Sequence, residues 1–465
     1  MKRILSLFIS LIFVICSFCC VPAIAQGAVY TPDQKIYSES YMLINLDDSS
    51  YPVVAQQNQD VRRYPASLTK IVTAIVVINN VADLSQQTTV SQTAYDAMLG
   101  TGAQVANLKV GEVLTIEQLL YLTMVHSACD ACHVLAEFVA GDVDSFCKMM
   151  NDWVISLGCK DTNFVNPDGL HDDNHYTTAQ DMATITLEAL KNETFTKIAD
   201  TKTYEYNDTT FIHTNFMMDK FHVSYYYEYA KGIKTGSTSQ AGYCVITRAS
   251  KDGYNYLAVV MGAPIEFIDG YNRKCSFVDA KSLFEWAFNS LKYTPVIRLN
   301  DIVTELEVVN GKDADMVQLV AKSDVTTLVP ASLDSSAVMI EPVDAPQVIE
   351  APVQKGETIC SANIIYGGQV IETVELVSAQ TIELSTFLKV LNALKSFFTN
   401  PFVLIIVAIL AIFAIVWVAL FVVRIRKDKK QLEAKRRRRQ ELDDQINQDI
   451  RNNYRDDDYL PPPKR

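Results

Sequence analysis

Cysteine is scarce along most of this 465-residue chain, which contains ten in all. Three lie in an apolar N-terminal segment that has the features of an export signal: Cys16, Cys19 and Cys20. The other seven are odd in number, widely spaced and without a repeating framework, which excludes a small fold that depends on disulfides. Spacing alone leaves two pairings open, Cys147 with Cys159 and Cys244 with Cys275.

Charge is missing from the apolar run near the amino terminus. Lys2 and Arg3 precede this run, and Ala23-Ile24-Ala25 at its end is a small-x-small cleavage site. We therefore expect residues 1–25 to be a signal peptide that directs the rest of the chain out of the cell. An uncleaved membrane anchor is the alternative interpretation.

Charge is also missing from Pro401 to Val423, a stretch long enough to span a bilayer. A basic cluster from Arg424 to Arg439 follows it, so the positive-inside rule predicts a cytoplasmic tail and an extracellular amino-terminal part. A buried core helix is a poorer interpretation of an uninterrupted apolar stretch with such a flank. The overall charge of −13 conceals this basic cluster. Its position favours anionic lipid over nucleic acid as its partner.

The exported part is too long for one small domain, and its pattern changes near residue 296. Early and late strands with helices between them predict an α+β domain, an antiparallel sheet flanked by helices. Alternating residues and a Gly367-Gly368 hairpin signal then predict a small all-β domain. The expected order is a signal peptide at 1–25, the mixed domain at 30–295, the β-rich domain at 296–380, a juxtamembrane amphipathic helix at 381–400, a transmembrane helix at 401–423 and a basic, largely disordered tail at 424–465.

Two predicted helices carry candidate reactive groups. The apolar segment Leu68 to Asn80 indicates one helix, and Ile116 to Val139 indicates another. Strands are predicted at Gly242 to Arg248 and Tyr254 to Met261. The amphipathic segment at 381–400 is expected either to lie on the membrane surface or to pack on the β-rich domain.

Three short motifs occur in a fixed order: Ser67-Leu68-Thr69-Lys70, Ser127-Ala128-Cys129 and Lys234-Thr235-Gly236. The first and third match the Ser-x-x-Lys and Lys-Thr-Gly boxes of serine acyl-transfer enzymes. On a helix, Ser67 and Lys70 share a face, and a desolvated lysine beside another cation has a lowered pKa and accepts a proton. The order of the motifs therefore predicts that Ser67 is a nucleophile and Lys70 its base.

The third motif has the groups that an acyl substrate needs. Lys234 and Thr235 offer a cation and a hydroxyl to a carboxylate, and Gly236 allows close approach of a substrate backbone. The backbone N–H groups of Ser67 and Ser237 are candidates for an oxyanion hole.

These motifs resemble those of low-molecular-mass penicillin-binding proteins, specifically the serine-type D-alanyl-D-alanine carboxypeptidases of peptidase family S11. The resemblance covers about residues 35 to 295 and extends to further segments that look like family signatures: Pro65-Ala66, Asn166-Pro167-Asp168-Gly169-Leu170-His171, His175-Tyr176-Thr177-Thr178-Ala179, Gly232-Ile233 and Ala241-Gly242-Tyr243. It implies a β-lactamase/transpeptidase-like fold with an added β-rich domain and a carboxy-terminal membrane anchor.

The resemblance also implies a reaction. Ser67 attacks the carbonyl between the two terminal D-alanines of a peptidoglycan stem peptide, Lys70 acts as base and Ser127 protonates the leaving D-alanine. Lys234, Thr235, Gly236, Ser237 and Cys129 are then the substrate-binding residues. β-Lactams are expected to acylate Ser67, and no metal, cofactor or nucleic acid is expected.

Two positions depart from the family pattern. Cys129 stands where the middle box usually has asparagine, and a thiol is a poor replacement for an amide. The family often has an arginine after the strand that follows Lys-Thr-Gly. Arg248 and Arg273 are the candidates, but an exposed salt bridge is the better interpretation of each.

Alternatives remain for function and for the cysteine motif. Cys129-x-x-Cys132-His133 matches a haem-attachment pattern, but structural cysteines are favoured over haem, metal or redox use. His171 and His175 are expected to hold a loop near the active site. A β-lactamase is disfavoured because no loop glutamate stands out. The remaining alternative is a catalytically impaired penicillin-binding or peptidoglycan-sensing protein.

Overall fold

The computed structural model describes residues 28–333 and 337–453. The predicted signal peptide at 1–25 lies outside these residues, as does the end of the tail from residue 454. Contacts divide the chain into two compact units. The first takes in the described residues up to Thr304 with those of Leu319–Ala345 and Thr358–Val377, and the second takes in Glu305–Gln318, Pro346–Glu357 and the described residues from Ser378.

The helices are α1 Lys70–Asn80, α2 Gln92–Asp96, α3 Ile116–Tyr121, α4 Cys129–Ala140, α5 Val143–Ser156, α6 Ala179–Leu190, α7 Glu193–Ala199, α8 Cys275–Ser290, α9 Thr386–Thr399 and α10 Pro401–Asn453. The strands are β1 Ser40–Asn45, β2 Val53–Gln57, β3 Gln87–Thr89, β4 Val113–Thr115, β5 Thr203–Tyr206, β6 Thr209–Ile212, β7 Ala230–Thr238, β8 Gly242–Lys251, β9 Tyr254–Ala263, β10 Ile265–Ile268, β11 Tyr271–Lys274, β12 Leu291–Ile297, β13 Ile302–Val309, β14 Met316–Ala321, β15 Val325–Pro330, β16 Val338–Val343, β17 Val348–Glu350, β18 Thr358–Tyr366 and β19 Gln369–Ser378.

The first unit is built on a five-stranded antiparallel sheet in the order β2-β1-β9-β8-β7. Residues alternate between two buried faces: Met42 and Val259 face a core that contains α1, whereas Leu43 and Ala258 face one that contains α8. Burial on both faces explains why β1 and β9 are nearly continuous apolar runs rather than alternating ones. The predicted antiparallel sheet flanked by helices is confirmed.

Helix α1 is the central helix of the first unit. Every residue from Lys70 to Val77 is buried, so the helix has no polar face. The predicted helix from Leu68 is correct except at its start, because Ala66–Thr69 forms a tighter 3₁₀ turn before the α-helix begins at Lys70. That turn places Ser67 at the amino-terminal end of a rigid, buried element.

The predicted continuous helix from Ile116 to Val139 is wrong. Helix α3 ends at Tyr121, a π-helical turn covers Leu122–His126, and α4 begins at Cys129. Ser127 lies between them with φ 66° and ψ 31°, a left-handed conformation that an α-helix cannot contain. Periodicity did not reveal this break because the flanking residues are apolar and buried.

Strands dominate the chain after α8. In the first unit, β12 pairs with β15, and β16, β18 and β19 form consecutive antiparallel pairs. The predicted hairpin at Gly367-Gly368 is confirmed, and both glycines have positive φ. In the second unit, β13 and β17 pair in parallel. The four cysteines considered for disulfides are each free and buried: Cys147, Cys159, Cys244 and Cys275.

Helix α9 belongs to the second unit and has two different faces. Lys389 lies 3.6 Å from Glu350, and Asn392 donates to Asn310 over 2.9 Å. Large apolar side chains on the helix are exposed: Phe387, Leu388, Val390, Leu391, Leu394, Phe397 and Phe398. The helix therefore contacts the second unit through polar groups and leaves its apolar side chains uncovered.

Helix α10 begins at Pro401 and is long and apolar enough, through its first part, to cross a membrane. It continues to Asn453, so the prediction of a largely disordered tail from 424 is wrong for the described residues. The tail is rich in Arg, Lys and Gln, which are strong helix formers, and this explains why a polar segment continues a helix.

Candidate active site

An open cleft of about 1080 Å³ brings the three motifs together. Six of the eight sequence-predicted site residues line it: Ser67, Ser127, Cys129, Thr235, Gly236 and Ser237. The other two, Lys70 and Lys234, are fully buried. The arrangement therefore places hydroxyls and backbone groups at the cleft surface and both cations in the protein interior.

Lys70 is the hub of the buried part. Its Nζ lies 2.9 Å from Ser67 Oγ, 2.6 Å from the carbonyl oxygen of Asp168 and 3.3 Å from Cys129 Sγ. An ammonium donates to all three acceptors. A neutral amine keeps two donors for Asp168 and Cys129 and accepts the Ser67 proton with its lone pair. The geometry is that of a serine and its general base.

The charges of the two lysines differ. Burial lowers the pKa of Lys70, but Cys129, Cys132 and Asp168 act in the opposite direction and leave it raised. Burial and the charge of Lys70 hold the pKa of Lys234 well below its usual range. The prediction that Lys70 has the lowered pKa is therefore wrong for the resting site. Two cations so close in the interior disfavour each other, and Lys234 is the one whose pKa is lowered.

The thiol of Cys129 is neutral. Burial raises its pKa, and this outweighs the opposing effect of Lys70. Its neighbour Cys132 is fully buried, with its Sγ 3.2 Å from the Ala128 carbonyl oxygen. His133, the last residue of the haem-like motif, bonds instead to the side chain of Asp168. The three residues are thus built into helix packing, as the favoured structural interpretation predicted.

Two glycines allow backbone segments to meet at Ser67. A Cβ on Gly169 would lie 1.9 Å from the Ala66 carbonyl oxygen, and Gly169 has φ +82°. A Cβ on Gly236 would lie 2.8 Å from the Pro65 carbonyl oxygen and 2.9 Å from the Ser67 nitrogen. The Lys-Thr-Gly strand β7 and the Asp168 segment can therefore approach the nucleophile only without side chains at these positions.

Two of the non-glycine residues with positive φ are at or next to the two serines. Ala66 has φ 48° and Ser127 has φ 66°, which non-glycine residues rarely adopt. Such conformations persist where surrounding contacts over-determine them, commonly at functional sites. Here they orient Ser67 and Ser127 toward one cleft.

Strand β7 is an edge strand of the sheet. Its pairing with β8 includes Gly236 with Cys244 and Ser237 with Tyr243. An edge strand offers free backbone N–H and C=O groups, to which an extended peptide can add as a further strand. Because Thr235, Gly236 and Ser237 line the cleft, a peptide bound there would lie beside Ser67.

His175 holds the loop beside the site, as predicted. Its ring nitrogens contact Thr69 Oγ1 at 2.8 Å and the backbone nitrogen of Val165 at 3.2 Å. His171 instead packs edge-on against the ring of Tyr64, with 4.7 Å between centroids.

Acidification should destabilise the fold through buried histidines. Burial lowers the pKa of His175 to about 4 and that of His213 to about 3, so the unfolded chain binds more protons below pH 6.5. The contribution of each neutral histidine to the free energy of unfolding is therefore fully present above pH 6.5 and is lost as the pH falls toward 4. For His175 this loss is about 3 kcal/mol. Urea unfolding at pH 7 and 4.5 should show a smaller loss in His175→Gln than in the unaltered chain. An equal loss of stability in the two proteins would contradict this expectation. His222→Gln, at a partly exposed histidine, is the control.

The two candidate arginines lie outside the cleft. Arg248 bonds to both carboxylate oxygens of Asp200, and Arg273 lies over the ring of Tyr271. The salt-bridge interpretation is confirmed for Arg248, which is partly buried rather than exposed. Sequence reasoning missed Lys274, which lines the cleft. Lys274 directly follows Arg273, one of the two arginines considered in the family pattern.

Comparison with known proteins agrees with this geometry. The family profile described as D-alanyl-D-alanine carboxypeptidase matches residues 26–265, and that of the penicillin-binding protein 5 C-terminal domain matches residues 292–384. D-alanyl-D-alanine carboxypeptidase DacF of Bacillus subtilis is 28% identical over 84% of this chain and 97% of its own length. D-alanyl-D-alanine carboxypeptidase DacA of Escherichia coli is 30% identical over 79% of this chain and 89% of its own length. Penicillin-binding protein 5 of Haemophilus influenzae has a solved structure with a TM-score of 0.56 and 27% identity, covering 76% of this chain and 99% of that one.

Proposed function

Because the chain belongs to the D-alanyl-D-alanine carboxypeptidase family, we propose that it removes the terminal D-alanine from peptidoglycan stem peptides through an acyl-enzyme on Ser67. The observation that carries the proposal is the 2.9 Å contact between Lys70 Nζ and Ser67 Oγ beside the cleft. The family is one of serine carboxypeptidases, which are hydrolases.

Acylation begins once the Lys70 ammonium has lost a proton to solvent. The Ser67 proton then passes to the neutral Lys70 amine as Ser67 Oγ bonds to the carbonyl carbon between the two D-alanines. Negative charge develops on the carbonyl oxygen, and the backbone N–H groups of Ser67 and Ser237 are the proposed donors to it. The C–N bond then breaks, and the departing nitrogen takes a proton through the Ser127 hydroxyl. Lys234, whose pKa is lowered, can pass that proton without a second ammonium forming beside Lys70.

Deacylation repeats the chemistry with water. A water molecule gives a proton to the site base and attacks the Ser67 ester, and Ser67 recovers its proton as the shortened peptide leaves. A β-lactam follows the first half of this path, but its amine stays attached after ring opening. We therefore propose that penicillin acylates Ser67 and departs slowly.

The chain is proposed to be a single-pass membrane protein with an extracellular active site. The apolar first part of α10 provides the span, and the basic residues that follow it favour a cytoplasmic tail through anionic lipid. The uncovered apolar side chains of α9 end just before Pro401. This helix is therefore proposed to lie in the membrane–water interface on the extracellular side.

The test is acylation of the full-length chain in detergent micelles. After incubation with benzylpenicillin, intact mass should rise by the mass of the whole drug, and Ser67→Ala should show no increase. Release of D-alanine from a stem pentapeptide then measures turnover. No adduct on the unaltered chain would overturn the proposal. An adduct without D-alanine release would favour the second candidate, a penicillin-binding or peptidoglycan-sensing protein.

Cys129 is the observation that favours that second candidate. Cys129→Asn restores an amide beside Lys70 that can donate to the substrate carbonyl. We expect D-alanine release to rise by about tenfold, which corresponds to one net hydrogen bond of about 1.4 kcal/mol. Cys129→Ser, which keeps the size of the side chain, is the control and should give less than this gain. An unchanged rate in Cys129→Asn would show that the thiol does not limit turnover.

Lys274 is proposed to bind the terminal carboxylate of the substrate. It lines the cleft, and burial lowers its pKa, so a bound anion would stabilise its charged form. Lys274→Met should raise KM for the pentapeptide by about tenfold, as expected for a lost charged hydrogen bond, with a smaller change in kcat. Arg273→Met removes the neighbouring cation, which lies over Tyr271, and should leave KM unchanged. Equal effects of both substitutions would refute a specific role for Lys274.

A further inference from the structure

A buried pair of side chains, His133 and Asp168, lies next to Lys70. His133 Nε2 is 2.9 Å from Asp168 Oδ2, and the Asp168 side chain has no exposed area. His133 projects from α4, one turn after Cys129, whereas Asp168 lies in the loop before α6. The pair therefore joins the element that carries the middle motif to the loop that contacts Lys70.

Asp168 reaches Lys70 through its backbone, not through its carboxylate. Its carbonyl oxygen accepts from Lys70 Nζ at 2.6 Å, and its Oδ1 accepts from the Leu170 backbone nitrogen at 2.8 Å. Asn166 Oδ1 accepts from the Gly169 nitrogen at 2.7 Å. The loop is held at both sides of Asp168, and other elements of the fold also bond to it. Thr73 of α1 donates to the Pro167 carbonyl oxygen at 2.5 Å, and His133 of α4 is the one that reaches the Asp168 side chain.

We propose that His133 is a positioning residue, which acts through Asp168 to hold Lys70 at hydrogen-bond distance from Ser67. The inference rests on the proposed function, because it assigns a role in the acylation of Ser67. A free carbonyl at the end of a loop has several orientations. The bond from His133 to the same residue's side chain restricts them to the one that directs the carbonyl at Lys70.

The pair also sets the charge around Lys70. Burial raises the pKa of Asp168, but the hydrogen bond from His133 and the charge of Lys70 outweigh this effect. The net pKa of Asp168 is lowered, so the carboxylate stays ionised. The other ionisable groups that act on Lys70 are Cys129 and Cys132 from α4, and Lys70 itself acts on Lys234. Asp168 is thus one of the groups, after Cys129 and Cys132, that raise the pKa of Lys70 and favour its ammonium form.

The decisive measurement is the rate of Ser67 acylation by a fluorescent penicillin, with full-length variants in detergent and rates corrected for folded protein. His133→Leu removes the donor, and His133→Gln places an amide donor at similar reach. We expect His133→Leu to slow acylation about 10- to 100-fold and His133→Gln to recover most of the rate. If His133→Leu does not fold, His133→Asn replaces it, because its amide is too short to reach Asp168.

A double-mutant cycle separates this role from packing. Asp168→Asn should move the acid limb of the acylation rate to lower pH by about one unit, because the ammonium of Lys70 loses a neighbouring anion. In that background, His133→Leu should cost less than about threefold. Asp279→Asn, at another buried carboxylate that is bonded to Ser38, controls for general destabilisation and should leave acylation per folded molecule unchanged.

Three results would overturn the positioning role: a wild-type acylation rate in folded His133→Leu, failure of His133→Gln to recover activity, or a full effect of His133→Leu in the Asp168→Asn background. Ser67→Ala and the unaltered chain are labelled in parallel. If the unaltered chain is not acylated, the proposed function fails and this inference fails with it. If it is acylated and the His133 variants behave alike, only the positioning role fails.

Discussion

Lys70→Met should slow acylation of Ser67 by about 10²- to 10⁴-fold, the range that a positioned general base contributes. Methionine keeps most of the buried volume but cannot accept the Ser67 proton. In the unaltered chain, the raised pKa of Lys70 predicts that acylation rises with pH above neutrality, because the ammonium must first lose a proton. Lys70→Met should lose this limb.

The measurement is stopped-flow acylation by a chromogenic cephalosporin between pH 6 and 10. Lys231→Met removes an exposed lysine from the same strand as Lys234 and should leave the rate and the pH profile unchanged. A pH limb that survives in Lys70→Met would assign the base to another group, and Lys234 would be the next residue to test.

Gly169→Ala should destabilise the fold by about 2 to 4 kcal/mol and abolish acylation of the remaining folded protein. The added methyl carbon would overlap the Ala66 carbonyl oxygen, 1.9 Å away, and the residue has φ +82°. Relief of the overlap requires the loop or the Ser67 turn to move, and either movement separates Ser67, Lys70 and the Asp168 carbonyl.

Gly253→Ala is the matched control for this substitution. Gly253 has φ +87° but no heavy atom within 4 Å of an added Cβ, so it reports the cost of the left-handed conformation alone. We expect Gly253→Ala to lower the free energy of unfolding in urea by about 1 kcal/mol and to leave acylation normal. Equal destabilisation of the two variants would show that backbone conformation, and not the contact with Ala66, explains the need for glycine at position 169.

The resemblance carried by local motifs was sufficient for the family and for the fold class. Ser67 and Lys70 are one helical turn apart, and the residues of the Lys-Thr-Gly box are consecutive, so each motif by itself depends on local geometry that spacing reports. Apolar runs likewise predicted the sheet strands and α1, because burial on both faces leaves few polar positions. The break at Ser127 was missed because it produces no change in hydrophobicity.

The charge of each lysine and the partners of Lys70 were beyond sequence reasoning. The pKa of a buried cation depends on which groups the fold brings within a few ångströms, and these come from α4 and from the loop at Asp168. The same holds for Arg248, whose ion pair with Asp200 forms between distant segments of the chain.

By itself, the sequence determined the order of the three motifs and the apolar span near the carboxy terminus, and it predicted Ser67 as the nucleophile and Lys70 as its base. Each of these rests on adjacent or regularly spaced residues. Only the tertiary structure decided that Lys274 faces the cleft, that Gly169 must lack a side chain, and that His133 reaches Lys70 through Asp168. These depend on contacts between residues far apart in the chain, where packing at van der Waals distance sets geometry and charge.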